Sequence, residues 1–246
     1  MVSGFLRRTV ELLAEEQRPI PEGWLASTPS LPAVWSLNGI WLESPMPYED
    51  AVALCQRHRR GSYDQLFVSE RAGGEALEPA FRAAGWRVQV EVHSILGGEP
   101  DREVDSSAVV VPSSEESLVL IERWVSEDRA LALSRDSVAQ LVEANRRTWH
   151  VRNARPFGVR GPDGELVGTT VLFSDGQVAQ VEDVYVAPEA RGQGHGRAMV
   201  SAAALAGQAD HGLTFISADD NDWPKQLYAK LGFKPAFRSW SFHREL

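Results

Sequence analysis

Arg191 is followed by three glycines at alternate positions, Gly192, Gly194 and Gly196, in a segment that reads as the opening of a helix. Residues 181–186 before it alternate as a strand, and a proline-containing turn, 187–190, links the two. Glycine lacks Cβ, so it adopts backbone angles that other residues avoid and lets a ligand approach main-chain N–H groups. A helix N-terminus adds unpaired donors and a partial positive charge. Together they suit a pyrophosphate. The alternatives are a glycine-rich turn with no ligand and a dinucleotide-binding turn. The latter needs G-x-G-x-x-G and an acidic residue about 20 positions on. Here the glycines run into Arg197, Ala198 and Met199.

A second segment, residues 213–233, reads as a strand, a polar turn and a helix over 223–231. Pro224 falls in the first helical turn, where proline is tolerated, and Gly232 lies where a helix ends. Within this helix sits Tyr228, and on the strand before the glycines sit two adjacent carboxylates, Glu182 and Asp183.

The run Arg191-x-x-Gly194-x-Gly196 resembles the acetyl-CoA signature of the GNAT superfamily of N-acetyltransferases. Asn221-x-x-Pro224-x-x-Leu227-Tyr228-x-x-Leu231-Gly232-Phe233 resembles a second GNAT motif, Asn-x-x-(Ala/Pro)-x-x-Leu-Tyr-x-x-x-Gly-Phe. The resemblance covers roughly residues 117–246, with a strand at about 237–243 completing it. It implies an α/β (α+β) GNAT fold: a mixed, mostly antiparallel central sheet flanked by helices, with a β-bulge that splays one strand from the next. It also implies acetyl-CoA as the acyl donor.

By that resemblance the amides of Arg191, Gly192, Gln193, Gly194, His195 and Gly196 cradle the pyrophosphate. Val184, Tyr185 and Val186 lie along the pantetheine arm, and the Val184 amide serves the oxyanion. Arg197 touches a phosphate, His195 points to solvent, and Asn221 either bonds the pantetheine arm or orders the turn. Acetyl transfer to an amine needs a neutral nucleophile, donors for the oxyanion, and a proton or hydrogen bond for the departing thiolate. Tyr228, a phenol with an ordinary pKa near 10, is the candidate acid, against a role in packing alone. Glu182 is the candidate base, directly or through water, against recognition of a cationic substrate or plain solvation. Asp183 is the neighbouring alternative, and strand alternation sends the two to opposite faces. The expected reaction is transfer to the amine of a small-molecule acceptor by direct attack in a ternary complex. A non-catalytic acyl-CoA sensor, a protein or peptide N-acetyltransferase and a mononucleotide-binding module are the competing readings.

The elements that must position these groups follow from periodicity. Helices are expected at 5–16, 48–59, 75–84, 115–126 and 136–149. Strands are expected at 40–43, 65–69, 87–96, 156–160, 166–174 and 177–186. The proline-rich stretch after residue 16 reads as irregular. In 87–96, Val88, Val90 and Val92 point one way, Gln89 and Glu91 the other. The polar segment 97–107 suggests a division into an N-terminal domain, 1–100, and a GNAT domain, 101–246. Residues 65–96 and 213–243 share a strand, helix, glycine-aromatic, strand order, which points to an N-terminal degenerate GNAT-like copy. That half has no Arg-x-x-Gly-x-Gly run, and its Ala72-Gly73-Gly74 turn carries no clear signal, so no second coenzyme A site is expected. It is expected to wall the acceptor pocket or to form a homodimer interface, with Trp24, Trp35 and Trp41 in its core.

The formal charge of -9 repels phosphate backbones, so nucleic acid is not an expected partner. Arg57, Arg59 and Arg60 read as a solvated helix end, and Asp219, Asp220 and Asp222 as a solvated turn beside Trp223, against attraction of a cationic substrate. Cys55 is the one cysteine, which excludes an intramolecular disulfide and fits a buried apolar position in a cytoplasmic protein. The N-terminus lacks the apolar core of a signal peptide, and no stretch approaches the roughly 18 apolar residues of a membrane span. His150, His211 and His243 lack metal-ligand spacing, so no metal is expected.

Overall fold

Alternating apolar residues assemble ten strands into one sheet, described here from a computed structural model over residues 1–59, 63–127 and 133–245. The first half runs α1 (Val2–Leu13), β1 (Glu16–Ile20), β2 (Gly23–Ser27), β3 (Gly39–Leu42), α2 (Tyr48–His58), β4 (Tyr63–Val68), α3 (Arg71–Ala83) and β5 (Arg87–Leu96). The second runs α4 (Ser114–Glu127), α5 (Arg135–Val151), β6 (Arg155–Arg160), β7 (Leu166–Ser174), β8 (Val178–Val186), α6 (His195–Asp210), β9 (Leu213–Asp219), α7 (Pro224–Lys230) and β10 (Phe233–Glu245). Arg60 lies outside the described residues. No helix among the described residues is long and apolar enough to cross a membrane.

The sheet order is β1-β2-β3-β4-β10-β5-β9-β8-β7-β6. It maps onto itself when β1 to β5 are exchanged with β6 to β10, so the two halves repeat one topology. In each half three antiparallel strands lead through a crossover helix, α2 or α6, to a parallel fourth strand. The fifth strand of each half is given to the other. β5 pairs with β9, β10 pairs with β4, and β5 and β10 pair with each other at the centre. Apart from the β3–β4 and β8–β9 pairs, every ladder is antiparallel. The fold is a mixed, mostly antiparallel sheet flanked by helices.

The proline-rich stretch after residue 16, read as irregular, forms β1 and β2. Pro19 is accommodated because β1 is an edge strand, bonded only to β2. Pro235 similarly hid the start of β10, where a bulge between Pro235 and Phe237 accommodates it. The Ala72-Gly73-Gly74 segment is not a turn but the first turns of α3. A Cβ at Gly74 would lie 2.2 Å from the Trp240 ring, so the glycine lets α3 settle directly on β10.

One core layer lies under α2 and α3, a second under α6 and α7, and a third joins α1, α4 and α5 to the opposite face of the second half. Arg152, 1% exposed, ties α1 to the second half: its guanidinium donates to Thr9 Oγ1 and to the Phe5 carbonyl and covers the Phe5 ring. Asp64, with a fully buried side chain, accepts from Arg59 on one side and Arg244 of β10 on the other. Arg59 is therefore an ion-pair partner of the core rather than part of a solvated helix end. Trp24 is buried and stacks on half-buried Trp41, while half-buried Trp35 stacks on His243.

Candidate active site

The register between β7 and β8 slips by one residue. Thr169 faces Tyr185 and Val171 faces Glu182, so β8 carries one extra residue opposite Thr170. Asp183, at φ 53°, takes up the slip in the left-handed region, which aspartate tolerates better than most side chains. β8 and β9 pair in parallel only from Val178–Leu213 to Val181–Ile216. Beyond that point β8 stays with β7 as far as Val186, while β9 follows β5 to Asp219. The strands part, and the edges of 182–186 and 217–219 face a cleft. An extended polyamide can pair with such edges. In the first half the equivalent strands do not part: β2 and β3 run in regular register, and β3 stays with β4 to Leu42–Val68.

At the end of β8 a single 3-10 turn, Pro188–Ala190, leads into the glycines. Gly192 and Gly194 have φ of 79° and 84°, and no atom lies within 4 Å of where their Cβ would be. Backbone conformation rather than crowding selects glycine there, and the open space leaves the amides reachable. Gly194 caps α6. The amides of 192–197 have no hydrogen-bond partner among the described residues, as expected for the start of a helix that meets a ligand. The Arg191 amide is already bonded to the Pro188 carbonyl, and its Nε donates to Val186 O, closing the loop onto β8.

Arg197, expected at a phosphate, instead donates to Asp101 at 2.7 Å and is 12% exposed, so it clamps the segment between the halves onto α6. Half-buried His195 and exposed Gln193 belong to the loop itself. Val184 is half-buried and has no register partner on β7. Tyr185 turns away from the cleft, stacking on Trp124 and donating to Glu127 Oε2. Asn221 is exposed, and its amide donates to Asp219 Oδ1 in a turn-ordering bond. Asp220 is not simply solvated: it accepts from Lys225 and Arg238 and pins the turn to β10. Trp223 is 63% exposed at the N-terminal end of α7.

Tyr228 is 6% exposed, and its hydroxyl has no hydrogen-bond partner among the described residues. Burial, with the charges of Glu182 and Asp222, raises its pKa, so the phenol keeps its proton.

The bulge cancels the alternation that would have parted the two carboxylates. Glu182 is in register with Val171, whose core layer also contains Trp149, and Trp149 Nε1 donates to Asp183 Oδ2 at 3.2 Å. Both carboxylates therefore sit on the side of the sheet covered by α1 and α5. Burial raises Asp183 to about 6, against the indole hydrogen bond that lowers it. Glu182 lies well above the usual carboxylate range, through burial first and then the charges of Asp183 and Glu91. Hydrogen bonds from the Gln180 side chain and the Asp183 backbone amide pull the other way.

Three residues of this face escaped the sequence reading. Glu91, on β5, is in register with Asp219 of β9, and burial and the Asp219 charge raise its pKa. His93, 1% exposed, bridges Ser217 and Ser239 at 2.8 Å each, and burial pushes it down to about 4, so it is neutral. Trp149 holds Asp183. The signal for Glu91 is its place in the set pointing away from Val88, Val90 and Val92. Among the described residues no cluster of three or more His, Cys, Asp or Glu is arranged to hold a metal.

Residues 148–235 match the family model for the acetyltransferase (GNAT) domain. A conserved protein of unknown function from Staphylococcus epidermidis aligns over 95% of both chains, at TM-score 0.69 and 15% identity. A GCN5-related N-acetyltransferase from Kribbella flavida aligns over 99% of this chain and 95% of its own, at TM-score 0.59 and 17% identity. A tandem GNAT protein from the clavulanic acid biosynthesis pathway aligns over 78% of this chain and 66% of its own, at TM-score 0.50 and 19% identity. No curated protein matches. At these identities the structural likenesses speak for the fold, and the domain match speaks for the family. Residues 148–235 thus match an acetyltransferase (GNAT) domain, and the first half of the chain repeats the topology of the half that contains them.

Proposed function

We propose that this acyltransferase takes acetyl-CoA as donor and acetylates an amine of a small acceptor in a ternary complex. The observation that carries the reading is the parting of β8 and β9 beside unpaired amides at 192–197. These amides suit the pyrophosphate and the strand edge at 184–186 suits the pantetheine arm. No atom lies within 4 Å of a Cβ placed at Gly192 or Gly194, so the loop has room for the group.

In the proposed reaction the amine nitrogen attacks the thioester carbon, and the Val184 amide receives the developing oxyanion. The new C–N bond forms and the C–S bond breaks. Glu182 takes the proton shed by the amine. Its raised pKa makes it a stronger base than an exposed carboxylate once ionised. Asp183 is held by Trp149 and supports Glu182 electrostatically. Tyr228, which keeps its proton, donates to the departing sulfur. As part of the same proposal, residues 1–100 are a degenerate copy whose cleft is closed, 101–246 are the catalytic unit, and the setting is cytoplasmic. The lone thiol, Cys55, is buried and pushed up to about 12, so it is inert.

The test is calorimetric titration with acetyl-CoA of the protein and of Gly194→Asp, which puts a side chain and a negative charge into the open loop. Saturable binding to the parent and none to the folded variant supports the site. No binding of acetyl or longer acyl donors to the parent overturns it.

A further inference from the structure

The acceptor side of the cleft carries more negative charge than one reacting amine requires. Glu182 stands on β8. Across the parted strands Asp219 stands on β9 and Glu91 beside it on β5, the strand supplied by the first half. Phe215 and Ile95, two steps along the same ladder face, lie in the core layer under α1 and α5, so Glu91 and Asp219 open on the same side as Glu182. The carboxylates span on the order of 10 Å, by ordinary strand spacing and rise.

Among the described residues no cationic side chain pairs with them. Glu91 makes no hydrogen bond or ion pair among the described residues. Lys225 and Arg238 are committed to Asp220, and among the described residues the Asp219 carboxylate accepts only from the Asn221 backbone amide. Tyr228, 6% exposed as a residue and within the field of Glu182, has a hydroxyl with no hydrogen-bond partner among the described residues. Half-buried carboxylates without partners are costly, and a cation relieves them. The reacting amine must be neutral to attack, so it does not supply that cation at the moment of reaction.

We infer that the acceptor is a diamine-class cation, whose second ammonium is held by Glu91 and Asp219 while its reacting amine meets Glu182. This rests on the acetyltransferase reading above. It makes Glu91 a specificity residue contributed by the first half to the site of the second. The methylene stem joining the two nitrogens crosses the mouth of the cleft between β8 and β9.

The experiment compares 1,4-diaminobutane with butylamine, in parent, Glu91→Gln and Glu91→Asp. Acetyl-CoA titration of each variant serves as the control for folding. Thiol release is expected to favour the diamine at least tenfold in kcat/KM. Glu91→Gln is expected to collapse that ratio through KM rather than kcat, and Glu91→Asp to restore part of it. Calorimetric binding of 1,4-diaminobutane alone provides a readout free of turnover: binding that Glu91→Gln weakens at least tenfold supports the inference. Equal use of both amines, a ratio untouched in Glu91→Gln, or no diamine binding overturns it. In those cases intact acetyl-CoA binding leaves the acetyltransferase reading standing. Loss of acetyl-CoA binding in the parent defeats that reading itself.

Discussion

Replacing Asp183 by asparagine is expected to make the protein more stable at neutral pH. The native carboxyl is raised from its ordinary 3.8 to about 6, chiefly by burial. The folded state therefore holds this proton more tightly than the unfolded chain does. As pH rises from below 4 to above 6 the folded state must give up a proton it favours, and stability falls. The gap corresponds to about 3 kcal/mol, fully present above pH 6 and absent below about 3.8. Asparagine mimics the protonated form, keeps an oxygen for the Trp149 N–H, and tolerates φ of 53°. Urea unfolding at pH 4 and pH 8 reads the difference. With an m-value of about 3 kcal/mol/M, the variant's midpoint should exceed the parent's by about 1 M at pH 8, with little difference at pH 4. A gain of the same size at both pH values, or a parent more stable at pH 8, would refute the assignment of the cost to a buried charge.

Two further outcomes are expected. Tyr228→Phe should lower kcat for acetyl transfer about 100-fold while leaving acetyl-CoA affinity unchanged, since it removes a donor used only as the C–S bond breaks; equal rates would reduce Tyr228 to packing. Asp64→Asn should cost about 3 kcal/mol in urea unfolding, the low end for a broken buried pair, because Arg59 and Arg244 reach solvent. Burial alone would raise Asp64, but the hydrogen bonds of Arg59 and Arg244 hold it below its ordinary value. Its contribution is therefore full at neutral pH and fades as pH falls through that lowered value.

The glycine loop and the α7 motif were legible because each is local. Backbone angles and helix ends are written in a few consecutive residues, and Gly192, Gly194, Pro224 and Gly232 sit where those rules put them. Strand 87–96 was legible for the same reason, since its alternation survives on both faces. What escaped depends on partners far along the chain. Pro19 and Pro235 look like strand breakers until an edge position and a bulge accommodate them. Alternation alone placed Glu182 and Asp183 on opposite faces, and only the register against β7 shows the slip that reunites them. Glu91 lies 128 residues before its partner Asp219, a pairing that no local pattern announces. Arg197 could be assigned to a phosphate only while Asp101 was out of view.

The exchange of fifth strands also dictates how the chain must fold. β5 is synthesised early, yet the neighbours that flank it, β9 and β10, emerge more than 110 residues later. Until then its two edges, and the inner edge of β4, stand open to any extended chain nearby. Pairings of such long sequence separation form slowly, and each closes a large loop. When β10 arrives it fills the slot between β4 and β5 and seals both halves in one event. Neither half then has a complete sheet of its own to melt separately. Unfolding should be a single cooperative transition, and a nick or truncation between the halves should release aggregation-prone strands rather than a working enzyme.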